Sequence, residues 1–235
     1  MKFAVIQFPG SNCDLDALHI LIDVLKLDAE LVWHKEFEGK KFDGAIIPGG
    51  FTFGDYWRTG LVASFSPAMD EVKRMNKEKL PIMGICNGFQ ILTEAQLLPG
   101  ALIRNKSLNF ICDWVKLRVE TTNSAFSNKM KKGQVIKIPI AHGEGCYVND
   151  EKGLKDLNEN DQVIFRYCNE QGELTEDANP NGSVENIAGI CNLERNIVGL
   201  MPHPERASEK ILSPFKTDDG LLFFDSMLNY LSNLK

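Results

Sequence analysis

Three short constellations carry the side chains and spacing for nucleophilic or acid–base chemistry. Gly84-Ile85-Cys86-Asn87-Gly88 sets a thiol between two glycines, each two residues away. That is the spacing of a strand-to-helix elbow, G-x-S-x-G, with sulfur in place of oxygen. The glycines leave room for a tight turn. A thiol placed there meets the free N–H groups and dipole of a helix N-terminus, which favour its ionised form. Free cysteine is also among the most buried residue types, so the elbow needs a base elsewhere in the chain. Pro202-His203-Pro204-Glu205 supplies one. Prolines stiffen the segment. A rigid imidazole with a carboxylate two residues on suits a base and the group that orients it. Ala141-His142-Gly143-Glu144-Gly145 is the third constellation, with the same H-x-E spacing.

The remaining histidines, His19 in an early helix and His34 at a strand end, read as structural or solvated. A pair of oxyanion donors is expected at the elbow. The Asn87 N–H follows the nucleophile, and Gly49-Gly50 ends an earlier strand, so Gly50 offers a second N–H. Losing one such donor typically costs ~3 kcal/mol of transition-state stabilisation.

These residues need elements to hold them. Lys2–Phe8, Glu30–His34, Phe42–Ile47 and Pro81–Ile85 are short apolar runs that predict strands. Asn12 or Asp14 is expected to cap a helix with Leu15, Leu18, Ile22 and Leu25 along its apolar side. A glycine-punctuated loop spans 51–60, and Ser66-Pro67 opens a helix to about Lys79. Asn87–Leu98 predicts the elbow helix, with Phe89, Leu92 and Gln96 on one side. Ligands in such sheets bind at the carboxyl edge of the strands. After Pro99-Gly100, alternating segments at Trp114–Glu120, Gln134–Ile140 and Gln162–Tyr167 predict antiparallel strands. Ile187–Ile190 and Ile197–Met201 predict a hairpin, and Gly220–Leu234 a final amphipathic helix. The order implies an α/β fold: a doubly wound, mostly parallel sheet with flanking helices and an additional antiparallel section. With no internal repeat or linker, residues 1–235 are expected to form one domain.

Composition narrows the function. The chain has 235 residues, 43% hydrophobic and 25% charged, with a net charge of -6. No basic patch interleaves with aromatics, so nucleic acid is not an expected partner. No apolar run reaches membrane-spanning length, and the apolar N-terminus is too short for a signal segment. The six cysteines show no C-x-x-C spacing, which points to a reducing cytoplasm.

Taken together, G-I-C-N-G-F-Q and P-H-P-E resemble the class I (triad) glutamine amidotransferases. The likeness extends through FPGSNCD (8–14), PGGFTFGDYWRTG (48–60), AHGEG (141–145) and NPNGS (179–183), and so through nearly the whole chain. The resemblance implies the flavodoxin-like, three-layer arrangement of that family. It implies Cys86 as nucleophile, His203 as base and Glu205 as its orienter, with the Gly50 and Asn87 amides as oxyanion hole. Gln90, Phe51, His142, Gly143 and Glu144 would help bind glutamine. It also implies a large synthetase subunit and a small third subunit as partners. The chain has no G-x-x-x-x-G-K-[ST] nucleotide loop, so no cofactor is expected on it; ATP and Mg would belong to the synthetase. Three other readings stand beside this one. His142/Glu144 with His203/Glu205 could chelate a catalytic metal. The elbow could serve a free-standing cysteine hydrolase of the same fold. The chain could also be a non-catalytic scaffold.

Overall fold

The computed structural model describes residues 1–234. The parallel half of its sheet contains β1 (Lys2–Gln7), β2 (Asp28–Trp33), β3 (Gly44–Ile47) and β4 (Ile82–Ile85). Between them run α1 (Asp14–His19), α2 (Leu61–Ser64) and α3 (Ala68–Lys77), and α4 (Asn87–Glu94) follows β4 directly. Beyond lie β5 (Ala101–Ile103), β6 (Ile111–Val119), β7 (Val135–His142), β8 (Cys146–Val148), α5 (Glu151–Glu159) and β9 (Val163–Cys168). The hairpin β10 (Ile187–Cys191) and β11 (Ile197–Leu200) precedes the last helix, α6 (Leu221–Asn233).

Nine strands form one mixed sheet in the order β2-β1-β3-β4-β11-β10-β9-β6-β7. The pairings from β2 to β11 are parallel and those from β11 to β7 antiparallel. The expected mixture of parallel and antiparallel sections is therefore a single continuous sheet with flanking helices. β3 and β4 are buried along their whole length, as strands covered on both faces must be. β7 alternates buried and half-buried residues, as a strand with one wetted face does. No helix among the described residues is long and apolar enough to cross a membrane.

Chain direction puts the ends of β1, β3, β4 and β11 on one edge. The chain leaves β1 toward β2 on one side and β3 toward β4 on the other, so that edge has a switch point beside β1, where such folds bind ligands. β7 lies five strands from β4. At the usual spacing a flat sheet would separate them by roughly 24 Å. Instead the Cys86 Sγ, just past β4, lies 3.7 Å from the Ala141 carbonyl of β7. The His203 N–H donates to the Pro139 carbonyl at 2.8 Å. The twist of the sheet thus brings its far edge back over the parallel half.

Two helices differ from the sequence reading. Neither Asn12 nor Asp14 caps α1; Cys13 occupies the cap position without a side-chain bond. Asp14 instead accepts from Gln7 Nε2 at 2.7 Å. The expected apolar side also fails, because Leu15 and Ile22 are exposed while Ala17, Ile20 and Leu21 are buried. The buried face already runs through Asp14 and Ala17 within α1, and a π-helical turn over Ile20–Val24 then adds a residue before Leu25. The elbow helix ends at Glu94, short of Leu98. Gln96 takes φ 57 and leaves the helical face. Its N–H bonds to the Thr93 carbonyl and the Leu97 N–H to the Leu92 carbonyl, a Schellman closure. Helix α5 and the small β5–β8 sheet were not foreseen.

Glycine is required where α4 crosses the sheet. A Cβ on Gly88 would lie 2.0 Å from the Ile47 carbonyl oxygen. Since that contact is backbone against backbone, no rotamer change relieves it. We expect Gly88→Ala to lower unfolding stability by about 3 kcal/mol or more in urea titration. An unchanged midpoint would show that α4 can lift from the sheet.

Candidate active site

Cys86 turns out of β4 with φ 51 and ψ -105, a conformation that L-residues rarely adopt. Such strain costs of order 1–3 kcal/mol and persists only where the surroundings impose it. They do so here: the Cys86 N–H donates to the Leu200 carbonyl at 2.8 Å, and Gly84 and Gly88 meet across the turn. The side chain is 6% exposed and still lines two adjoining cavities, of about 130 and 170 Å³.

The smaller cavity holds Cys13, Cys86 and His203. His203 is 1% exposed. Its Nδ1–H donates to Glu205 Oε1 at 2.6 Å, which leaves Nε2 as the other nitrogen, and Nε2 has no partner among the described residues. Burial alone would lower the proton affinity of this ring. The Glu205 carboxylate and the Cys86 sulfur outweigh that and hold it well above the usual histidine range. The ring, the Cys13 sulfur and the Cys86 side chain converge on Gly49, where a Cβ would lie 2.8 Å from His203 Cε1, 3.0 Å from Cys13 Sγ and 3.4 Å from Cys86 Cβ. Gly49 therefore keeps the base and the thiol in one cavity by having no side chain.

Two backbone N–H groups lie next to the elbow in the chain or at the neighbouring strand end. The Ser11–Gly50 bridge runs through the Asn12 and Phe51 N–H groups, which leaves the Gly50 N–H unused. The Asn87 N–H, first in α4, likewise has no partner among the described residues. Both carry the free polarity an oxyanion requires.

The larger cavity extends from Cys86 past Gln90, Phe51, His142, Gly143 and Glu144. All five residues expected to bind substrate are thus assembled in one place. Gln90 is oriented by its neighbours: its Nε2 donates to the Glu144 carbonyl at 2.6 Å, and its Oε1 accepts from Asn87 Nδ2 at 2.7 Å. Phe51 and Phe110 flank the opening with ring centres 6.4 Å apart. His142 Nδ1–H donates to Asn105 Oδ1 at 3.1 Å. Desolvation, with the charge of His203 second, lowers the His142 pKa to about 4, so this imidazole is neutral.

The two H-x-E pairs do not form a shared metal site. Among the described residues the cluster with metal-ligand spacing is Cys13, His203 and Glu205, which excludes His142 and Glu144. Within it His203 and Glu205 already bond to each other, and the Arg206 guanidinium donates to Cys13 Sγ at 3.0 Å. A guanidinium in that position opposes a metal cation. Sequence reasoning missed Cys13, although the turn after β1 ends on the edge that carries Cys86. It also missed Asp55, Thr59 and Phe110, which sit on irregular segments with no periodic signal.

A family model described as CobB/CobQ-like glutamine amidotransferase domain matches residues 1–231. The chain belongs to this amidotransferase family. Phosphoribosylformylglycinamidine synthase subunit PurQ of Methanosarcina mazei is 56% identical over 232 residues, covering 99% of each chain. The protein of that name from Aquifex aeolicus is 51% identical over 229 residues, 97% of this chain and 100% of the relative. A chain in the structure of PurLQS from Thermotoga maritima superposes with a TM-score of 0.84 at 42% identity, covering 98% of both. In this amidotransferase chain, then, an elbow cysteine, a buried His–Glu pair and two unused amides share one sheet edge.

The two imidazoles at this edge give opposite pH signatures. His142 titrates at about 4 when folded and at 6.5 ordinarily. Between those values the unfolded chain binds more protons, so stability rises with pH. The His142 contribution is complete above about 6.5 and is lost as pH falls toward 4, about 3 kcal/mol in all. His203 is shifted upward, so its contribution is complete below 6.5 and declines only as pH rises through its folded value. We expect His142→Asn to flatten the stability slope between pH 4 and 6.5 in chemical denaturation. An unaltered slope would assign the acid sensitivity to other groups.

Proposed function

We propose that this chain is the glutaminase subunit of phosphoribosylformylglycinamidine synthase, acting as one domain. The observation that carries the reading is the approach of Cys86 and the His203–Glu205 pair about Gly49, beside a pocket lined by Gln90. The end-to-end identity to relatives bearing that name supports the choice of reaction.

Cys86 gives its proton to His203 Nε2, and the sulfur attacks the side-chain carbonyl carbon of glutamine. The oxygen takes the negative charge and is held by the Gly50 and Asn87 N–H groups. As the carbonyl re-forms, the C–N bond breaks and His203 delivers its proton to the departing nitrogen, which leaves as ammonia. A γ-glutamyl thioester remains on Cys86. His203 then takes a proton from water, hydroxide attacks the thioester, and glutamate leaves as the thiol is restored. Glu205 fixes the Nδ1–H tautomer and stabilises the charged ring through both steps. Cysteine suits this path because its ionised form is accessible near neutral pH and is strongly nucleophilic.

Ammonia passes to a large synthetase subunit that binds ATP and Mg and converts formylglycinamide ribonucleotide to formylglycinamidine ribonucleotide. A small third subunit completes the assembly, in the cytoplasm. Exposed Tyr56 and Trp57 on the 51–60 loop, beside the pocket mouth, suit a covered surface.

Cys86→Ala is expected to abolish glutamine-dependent synthesis by the complex and to leave ammonia-dependent synthesis intact. Survival of both would remove Cys86 from the mechanism. Hydrogen exchange should slow in segments 51–60 and 141–145 when the synthetase is added. Equal protection with and without it would place the interface elsewhere.

A further inference from the structure

Asn105, in the segment after β5, is fully buried, and both polar atoms of its side chain are bonded. Its Nδ2 donates to the Asn109 carbonyl at 2.9 Å and to the His142 carbonyl at 2.8 Å. Its Oδ1 accepts from the Gly145 N–H at 2.9 Å and lies 3.1 Å from His142 Nδ1. A carbonyl only accepts and a backbone N–H only donates, so these partners fix the orientation of the amide. His142 Nδ1 therefore meets an oxygen that can only accept. The proton of the neutral ring sits on Nδ1, and the buried Nε2, with no partner among the described residues, is left bare.

The surrounding turn is built onto this contact. Gly145 packs against the ring, where a Cβ would lie 2.3 Å from His142 Cε1 and 2.4 Å from Nδ1. The Asn105 N–H donates to the Gly143 carbonyl at 2.9 Å, so one residue ties the turn down on both sides of Glu144.

His142 and Cys86 line the larger cavity together. The Nδ1 partners of the two imidazoles differ in charge, a carboxylate for His203 and an amide for His142. Against the cost of burial, the Glu205 carboxylate and the Cys86 sulfur raise the proton affinity of His203. The Asn105 amide adds no charge, and desolvation and the His203 charge hold His142 at about 4. The other charged or titratable groups near the ring are Glu144 on its own turn, with Arg104 at 3.7 Å from it, Asp55 on the turn over Thr52–Asp55, and Cys146 at the start of β8. Burial and the Glu144 charge raise Asp55 to about 6, and burial raises the Cys146 thiol. A second positive ring here would repel the proton that His203 takes from Cys86.

We propose, on the glutaminase reading, that Asn105 is a positioning residue for the Cys86–His203 pair: by offering Nδ1 a fixed, uncharged acceptor it keeps the His142 ring in its single-proton Nδ1–H form, so that of the two rings only His203 takes up the proton of Cys86.

Nitrogen-15 NMR of the histidine rings in the full chain locates the proton, with the His142 signals assigned by their loss in His142→Asn. The native ring should show a protonated Nδ1 and a bare Nε2 between about pH 5.5 and 8. A proton on Nε2, or a charged ring at about pH 6.5, overturns the proposal without any variant. Asn105→Asp is nearly isosteric and sets a carboxylate on Nδ1, so it should raise the His142 midpoint to about 6.5 or above. In complex with the synthetase, kcat/KM for glutamine should then lie at least ~10-fold below the native value near pH 6, the effect of one like charge a few ångströms away. That deficit should shrink as pH rises and the ring loses its proton. A deficit that does not vary with pH, or an unmoved His142 midpoint in the folded variant, overturns the proposal. If Asn105→Asp does not fold, the native spectrum still decides. Failure of the native complex to release ammonia from glutamine refutes the glutaminase reading itself and is seen independently of the ring spectra.

Discussion

A single hydrogen bond marks the constraint on which the site depends: the His203 N–H donating to the Pro139 carbonyl of the outermost strand. It requires the nine-stranded sheet to curl until its antiparallel edge lies over the ends of the parallel strands. The same curl sets the Ala141 carbonyl against the Cys86 thiol and brings His142 and Glu144 into the pocket. A flatter sheet would keep every residue of the site and lose the site. The antiparallel half is thus the roof of the pocket, and the long β6–β7 pairing gives that roof its stiffness.

Close approach is the second requirement, and glycine meets it. Gly49 lets an imidazole and two cysteine side chains share one space, while Gly84 and Gly88 let α4 leave β4 with no intervening turn. The strain at Cys86 follows from this crowding. The packed ends of β1, β3 and β11 hold the elbow in a conformation that a free chain would abandon. In the proposed reaction, rigidity of this kind sets the nucleophile, the base and two amide donors in place before substrate arrives, which is where much of the advantage of an enzyme site lies.

Electrostatics then separates two imidazoles on the same edge. His203 has a buried carboxylate as partner and is pushed toward its charged form; His142 has only a neutral amide and is held neutral. In the proposed reaction His203 carries the proton between sulfur, nitrogen and water. The other, in the wall of the larger cavity, keeps a buried Nε2 without a partner among the described residues. The division comes from their surroundings: a buried carboxylate and a sulfur raise His203, while desolvation and the charge of His203 lower His142.

Much of this could be read from the linear chain. The Gly-x-Cys-x-Gly spacing required an elbow, and the short apolar runs required a sheet whose parallel strands end on one edge. The spacing in P-H-P-E set His203 beside Glu205, because residues two apart in a rigid turn stay close together. Local chemistry of this kind is short-range and survives without knowledge of the rest. The phase of α1 was not legible, because its buried face carries a polar Asp14 bonded to Gln7 and leaves the apolar Leu15 outside. The early end of α4 was not legible either, because Gln96 adopts a conformation its side chain does not advertise. The approach of β7 to β4, the convergence on Gly49 and the facing of Asp55 by Glu144 belong to the tertiary structure alone. Each joins segments far apart in the chain, and sheet twist and packing, which are properties of the whole fold, set the distance between them.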